Sequence, residues 1–272
     1  MPVLLFLCFI GPVSASHPGV RIAMAQMDII DGNLKENMKR AEDMIREAAK
    51  WNADMVCLPE AADFGWLYQQ ARRYASPIPG RYTEFLSALA KELNIWISAG
   101  CLEKYGDKTY NAAVIIDRTG NIVLKHRKIK TLSSLTSQLY DRGNTEDIKA
   151  VETEFGRIGL TICADNFDIE NPEKVAESGA WLLITPHGFA ARPNDLANNA
   201  VEYMNHIKGL ASGTNLWVVG TNACLSRIAD GEWEGYQHSG CSTIADPNGK
   251  VVAIGKFNAT DLILYDIPPE DD

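Results

Sequence analysis

The sequence has no long hydrophobic run, no low-complexity segment and no internal repeat. Its apolar stretch over residues 3–10 is far shorter than the roughly 20 residues that a membrane-spanning helix needs. Residues 21–268 contain no Pro/Gly/Ser-rich linker and no abrupt change in charge. These absences argue against fibrous and membrane-spanning classes and favour one globular domain.

Positive charge is scarce as well. The 272 residues include 26 Lys and Arg against 35 Asp and Glu, a formal net charge of -9. An acidic surface repels phosphate backbones and anionic lipid headgroups. We therefore expect neither nucleic acid nor a membrane as a main partner.

Paired cysteine motifs are also missing. The six cysteines include no CxxC motif and no Cys/His cluster, so we predict no structural zinc site. Without Cys8, which lies in the N-terminal apolar stretch, five cysteines remain. Because five is an odd number, at least one thiol is expected to be free.

Residues 1–19 leave two alternatives open. Val13-Ser14-Ala15 follows the apolar stretch, which is the pattern of a signal peptide cleaved after Ala15. No Lys or Arg precedes that stretch, which favours a non-native leader instead. We expect a secreted protein if residues 1–15 are a signal peptide and a cytoplasmic one otherwise, with the folded domain over residues 20–272.

Hydrophobic periodicity predicts an α/β fold. Asn33 and Glu36 form a capping-box pattern before one amphipathic helix, and Pro79-Gly80 precedes a second. Residues 118–121 are a hairpin signal between two β-branched runs. In total we predict about eleven strands and about four helices, mixed in order. Two mixed sheets packed face to face, with the helices outside, would bury every apolar stripe.

Three ionisable residues stand where predicted strands run out: Glu60 in LPE, Lys128 in KHRKIK and Cys163 in GLTICAD, where Cys163 is the last residue of a strand predicted over residues 157–163. Each has an ordinary explanation, as a solvated loop acid, a solvated basic run or a core thiol. Together they suit acyl transfer. A thiol needs a base to become a nucleophile, a carboxylate can be that base, and an ammonium group stabilises an oxyanion.

The sequence resembles the nitrilase superfamily of carbon–nitrogen hydrolases from Val20 to about Ile267. The stretch around Lys128 is the most specific, and the order and spacing of the others strengthen the match. The segments that carry the resemblance are RIAMAQMD, LPE, IPG with LSALAKELNIWISAG, YNAAVIIDRTGNIVLKHRKIK, GLTICADNF and ADPNGKVVA.

The resemblance implies roles for the three residues. Glu60 would be the general base, Lys128 the oxyanion stabiliser and Cys163 the nucleophile, with the backbone N–H of Ala164 as second oxyanion donor. It also implies a four-layer α-β-β-α sandwich that pairs through its cysteine-bearing region, so we expect a homodimer or higher homo-oligomer.

The sequence departs from the family pattern in two places. Residues 131–143 lack the second glutamate that members usually carry shortly before a glycine, and Asp141 has the wrong spacing to replace it. After the nucleophile, Ala164 stands where an aromatic is usual and residues 166–168 read NFD. The residues after Cys163 therefore favour an amide substrate over a nitrile.

Further residues have weaker signals. Trp66 and His187 are candidate walls of a substrate pocket, and packing or loop roles remain alternatives for both. We expect Asn111 to fix a strand end and Asp165 to bond loop amides, while His238 has no assigned role.

The resulting prediction is a hydrolase of a small linear amide or N-carbamoyl compound that works through a cysteine thioester, which water then hydrolyses. It requires no metal and no cofactor. The alternatives are a nitrile hydrolase and a non-catalytic binding or scaffold protein with the same fold.

Overall fold

A computed structural model describes residues 17–270, so the leader prediction falls outside the described residues except for His17–Gly19. The first of two six-stranded sheets is mixed, with antiparallel β3–β4 and β4–β5 pairs beside parallel ones. Its strands in spatial order are β15 (Asp261–Ile267), β1 (Val20–Gln26), β2 (Met55–Cys57), β3 (Trp96–Tyr105), β4 (Lys108–Ile116) and β5 (Ile122–Arg127).

The second sheet is also mixed, with β7, β8 and β10 parallel and the outer strands antiparallel. In spatial order it contains β14 (Val251–Ile254), β13 (Thr243–Ala245), β10 (Trp217–Asn222), β8 (Leu182–His187), β7 (Gly156–Leu160) and β6 (Ala150–Thr153). A small third sheet joins β11 (Cys224–Arg227), β12 (Gln237–Ser239) and β9 (Ala190–Ala191).

Six α-helices complete the part of the chain that is described. The predicted cap of the first helix is present, because the side chain of Asn33 accepts a hydrogen bond from Glu36 N. None of the helices within residues 17–270 has the length and apolarity to cross a membrane. The helices are α1 (Leu34–Lys50), α2 (Ala71–Tyr74), α3 (Arg81–Leu93), α4 (Ser133–Thr136), α5 (Glu170–Glu177) and α6 (Leu196–Thr214).

The four layers follow from the two-residue alternation of strand β1. Ile22 and Met24 belong to the apolar core that β1 shares with strands β7, β8 and β10 of the second sheet. Ala23 and Ala25 belong to the core that packs against α1 and α3. Successive side chains point to opposite faces of a sheet, so one strand contributes to two cores.

The second sheet repeats this arrangement. Leu183 and Val218 pack with Tyr203 and Ile207 of α6, on the face opposite to the first sheet. Helices therefore cover the outer face of each sheet, and the predicted α-β-β-α sandwich is confirmed.

The described chain has more short elements than the sequence indicated: fifteen strands and six helices. The sequence missed β6, β9, β11 and β12 and the four-residue helices α2 and α4, because segments of two to four residues show no measurable periodicity. The prediction that a strand runs to Cys163 was also wrong. Strand β7 ends at Leu160, and a 3₁₀ turn begins at Cys163.

Gly100 of β3 lets the chain after β2 cross the first sheet at close range. An added Cβ would lie 2.6 Å from Glu60 Cα and 2.6 Å from Ala61 N, both backbone atoms. Gly100 N donates to Pro59 O at 3.1 Å, and Ala62 N donates to Gly100 O at 3.0 Å. Because Gly100 has no side chain, the loop that carries Glu60 can lie directly against β3.

We expect Gly100→Ala to lower the free energy of unfolding by about 1–3 kcal/mol, because the new methyl group overlaps backbone that cannot rotate away. Gly209→Ala on α6 is the control, since a Cβ there meets open space and alanine favours a helix. Denaturant unfolding measures both. Equal free energies of unfolding for Gly100→Ala and the parent protein would contradict this account.

Candidate active site

Three side chains meet at one end of the sandwich. Glu60 lies three residues after β2, Lys128 directly after β5, and Cys163 three residues after β7. The backbone fixes the first two: Glu60 N donates to His187 O at 3.3 Å, and Lys128 N donates to Asn111 O at 2.8 Å. Lys128 pairs with Glu60 and lies close enough to Cys163 to interact with its charge, so the three residues singled out in the sequence are neighbours in space.

Lys128 and Glu60 form a buried ion pair. Lys128 Nζ donates to Glu60 Oε1, and neither residue is more than 2% exposed. Burial alone would lower the pKa of Lys128, but the charges of Glu60 and Cys163 and the hydrogen bond to Glu60 raise it overall. The lysine therefore carries a full positive charge beside the thiol.

Cys163 starts its turn in a strained conformation. Its φ of 44° lies in the left-handed region, which non-glycine residues rarely adopt and which costs roughly 1–3 kcal/mol. Burial and the charge of Glu60 raise the pKa of the Cys163 thiol, while the charge of Lys128 and the backbone N–H of Gly188 act in the opposite direction. The resting thiol is therefore protonated at neutral pH, and it needs a base before it can attack.

Asp165 joins the loop after β5 that carries Lys128 (the lysine loop) to the turn Cys163–Phe167 (the cysteine turn). Its Oδ1 accepts from Ile129 N and Lys130 N, each at 2.8 Å, as expected for a residue that bonds loop amides. Its Oδ2 accepts from His126 Nε2 at 2.8 Å and Ile162 N at 3.2 Å. One carboxylate thus fixes the backbone beside both Lys128 and Cys163.

Trp66 lies beside Lys128. Lys128 Nζ lies 5.4 Å from the Trp66 ring centroid, within cation–π range. The loop that carries Trp66 is held by Tyr140, whose hydroxyl donates to Trp66 O at 2.8 Å. The sequence did not identify Tyr140, because it lies 74 residues from Trp66 and no local pattern marks such a contact.

His187 ends β8 and is fully buried. Its Nδ1 lies 3.0 Å from Thr185 O, and because a carbonyl can only accept, Nδ1 carries the proton. Burial, His206 and Lys128 lower the pKa of His187 far below its usual value, so the ring is neutral. Ala164 is buried in the same turn as Cys163.

No carboxylate of residues 131–143 reaches the three side chains. Asp141 accepts from Thr109 N at 2.9 Å and forms an ion pair with Arg72 at 3.1 Å. Residues 131–143 therefore supply no replacement for the second glutamate. Within residues 17–270, no group of three or more His, Cys, Asp or Glu side chains is arranged to hold a metal ion.

Asn111 contacts the site more closely than the sequence suggested. Its Nδ2 donates to Glu60 Oε1 at 2.7 Å, so its side chain does more than fix a strand end. His238, in contrast, bonds Ser226 at 3.1 Å and joins the small third sheet.

A thiol, a carboxylate and an ammonium group at one end of an α-β-β-α sandwich are chemically suited to acyl transfer. Comparison with known families gives the class of the protein. The chain belongs to the carbon–nitrogen hydrolase family of the nitrilase superfamily, whose model matches residues 21–271.

Relatives span almost the whole chain. The omega-amidase NIT2 of Bos taurus is 30% identical over 253 residues, which cover 90% of this chain and 87% of the relative. A nitrilase of Pyrococcus abyssi is 29% identical over 252 residues, covering 91% and 89%. The crystal structure of Saccharomyces cerevisiae Nit3 superposes with a TM-score of 0.77 at 23% identity, covering 93% and 91%.

We expect Asp165→Asn to lower the free energy of unfolding by about 2–4 kcal/mol at neutral pH. The asparagine side chain has no charge, and its NH₂ group would face N–H donors that now bond the carboxylate. Burial would raise the pKa of Asp165, but His126 and the Lys130 amide lower it overall. Its stabilisation is therefore complete above the unfolded pKa of about 3.9 and is lost as the pH falls through the folded value. The difference between Asp165→Asn and the parent protein should shrink below about pH 4.

Denaturant unfolding between pH 7 and pH 3 measures this difference, with Asp168→Asn as the control. Asp168 pairs with Lys130 on the surface, and exposed pairs contribute about 0–1 kcal/mol. A difference for Asp165→Asn that stays constant with pH would contradict the proposed contribution of its charge.

Proposed function

We propose that the protein hydrolyses small linear amides or N-carbamoyl compounds through a thioester on Cys163. The observation that carries this proposal is the buried contact among Glu60, Lys128 and Cys163. The omega-amidase relatives support an amide substrate.

In the proposed reaction, Glu60 takes the thiol proton and the sulfur of Cys163 attacks the carbonyl carbon. Lys128 and the backbone N–H of Ala164 stabilise the oxyanion that forms. The carbon–nitrogen bond breaks as Glu60 returns the proton to the leaving nitrogen. Water, deprotonated by Glu60, then releases the acid and regenerates the thiol.

The enclosure of the site supports a small substrate. Cys163 is 6% exposed, and an added Cβ on Gly188 would lie 2.6 Å from Trp66 Cδ1 and 3.1 Å from Glu60 Oε2. Trp66 Nε1 and Glu60 Oε2 are buried and have no hydrogen-bond partner in the described part of the chain. A small amide offers one acceptor and one donor that match them. His187 ends β8, its backbone O accepts from Glu60 N, and we propose that its side chain contacts the acyl group.

Nitrile hydrolysis is the second candidate, because one relative that covers nearly the whole chain is named a nitrilase. The residues after Cys163 favour the amide. A non-catalytic scaffold is the third, and only the absence of the second glutamate favours it.

We expect the parent protein to release ammonia from at least one small amide and Cys163→Ala to release none, because no thioester can form. Lys128→Met should lower the rate by roughly 10²–10³, the typical effect of losing one oxyanion donor. Glu60→Gln should impair formation and hydrolysis of the thioester alike. An ammonia assay over a panel of small amides, with mass spectrometry for the acyl adduct, measures these effects.

Cys241→Ala is the matched control, since Cys241 is 7% exposed and also has a left-handed φ of 56°. It should retain turnover. An adduct on a residue other than Cys163, or undiminished turnover in Cys163→Ala, would refute the mechanism. If only nitriles are hydrolysed, the second candidate replaces the first.

We also propose that two copies pair beside the cysteine turn. Phe167 ends this turn and Ile169 lies two residues later, and they are 47% and 41% exposed. Phe167 packs on His206, and Ile169 lies over Gly213 of the same helix α6. Together they form an apolar surface that a second copy can cover.

Light scattering should report at least twice the 30.0 kDa mass of one chain at micromolar concentration. Ile169→Asp should shift the protein toward the monomer, because a charge in a dimer interface must be desolvated. Ile254→Asp changes an equally exposed residue on β14 and should leave the mass unchanged. A stable monomer of the parent protein would rule out the pairing.

A further inference from the structure

Asn111 lies within β4, and its side chain reaches the carboxylate of Glu60. Asn111 Nδ2 and Glu60 Oε1 are 2.7 Å apart, and both residues are at most 1% exposed. Only the N–H side of an amide can face an ionised carboxylate, because two oxygen atoms would repel each other. The orientation of the Asn111 amide therefore follows from its partner.

The two oxygens of Glu60 have different surroundings. Oε1 receives donors from both Asn111 and Lys128, whereas Oε2 is buried without a hydrogen-bond partner among residues 17–270. An added Cβ on Gly188 would lie 3.1 Å from Oε2, and the backbone N–H of Gly188 lies within hydrogen-bonding reach of the Cys163 thiol. The free oxygen and the thiol are thus neighbours of the same glycine.

Packing alone does not explain an asparagine at position 111. Its Oδ1 is buried and has no partner in the chain from residue 17 to residue 270, which is unfavourable for a polar atom. Leucine has a similar volume and would bury no such oxygen. The carboxamide is therefore favoured by its hydrogen bond to Glu60.

We propose that Asn111 is a positioning residue: its amide and Lys128 together occupy Glu60 Oε1, so that Oε2 is the oxygen that takes and returns the thiol proton. This rests on the proposed role of Glu60 as base. In the step, the proton moves from Cys163 Sγ to Oε2 while the sulfur–carbon bond forms and the carbonyl electrons move to oxygen. The same proton leaves Oε2 for the nitrogen when the carbon–nitrogen bond breaks.

The pH dependence of alkylation tests this role without a substrate. The titratable groups that face Glu60 from neighbouring elements are Lys128, Cys163, Tyr140 and His238. All four remain in the variants below. A change in the pH profile of Cys163 alkylation therefore reports the loss of the amide from position 111.

The probe is iodoacetamide, and mass spectrometry follows its addition to Cys163 as a function of pH. In the parent protein the rate should fall at low pH, because the thiol reacts only after it loses its proton. Asn111→Leu should move this acid limb to higher pH by about one unit, because the group that accepts the thiol proton loses a hydrogen-bond donor. Asn111→Asp should move it further, because a carboxylate at position 111 repels the negative charge that forms on the sulfur.

Thr109→Val is the control, since Thr109 is two residues earlier in β4, equally buried, and its hydroxyl has no partner in the described chain. Its profile should match that of the parent protein. Where an amide is turned over, Asn111→Leu should lower kcat by about 10- to 100-fold and leave KM nearly unchanged, since Asn111 acts through the base.

Superimposable profiles for the parent protein and both Asn111 variants would overturn the proposal, and so would an equal displacement in Thr109→Val. If Asn111→Leu does not fold, the alkylation profile of the nearly isosteric Asn111→Asp tests the proposal alone. If no amide is turned over but the acid limb moves as described, the proposed substrate class fails while the positioning role holds.

Discussion

The ion pair between Lys128 and Glu60 is the constraint on which the rest of the site depends. Two charges at this depth are expensive to desolvate, and either one alone would be strongly destabilising. The fold must therefore bring the loop after β2 and the loop after β5 together accurately. Gly100 permits the first loop to lie directly on the sheet, and Asn111 contacts both members of the pair. The inner strands thus position the ion pair as well as forming the core.

Asp165 extends this constraint to the second sheet. It accepts hydrogen bonds from the lysine loop and from the start of the cysteine turn, so the positions of Lys128 and Cys163 are not independent. Rigid support of this kind would preorganise donors for the charge that develops in the proposed acyl transfer. The strained φ of Cys163 is tolerated because the surrounding hydrogen bonds over-determine the turn.

The sequence predicted the layered fold and the three central residues for a physical reason. Inner strands are nearly continuous apolar runs, and an ionisable residue that ends such a run is conspicuous. The contact between Asn111 and Glu60 joins residues 51 positions apart, and no local pattern encodes it. The short strands β9, β11 and β12 form through tertiary pairing rather than through propensity. The predicted strand runs on to Cys163 because Ile162 and Cys163 continue the apolar pattern of β7, whereas in the structure Asp165 accepts a hydrogen bond from Ile162 N and helps to bend the chain there.

The raised pKa of the Cys163 thiol affects how readily this sulfur is oxidised. Peroxides and disulfides react with the thiolate, so a neutral, enclosed thiol is a poor target for them. An enzyme whose cysteine is permanently ionised gains nucleophilicity and loses this protection. Burial and the charge of Glu60 keep the Cys163 thiol in its neutral form. Oxidation by peroxides and disulfides should therefore be slow at this sulfur while the site is empty.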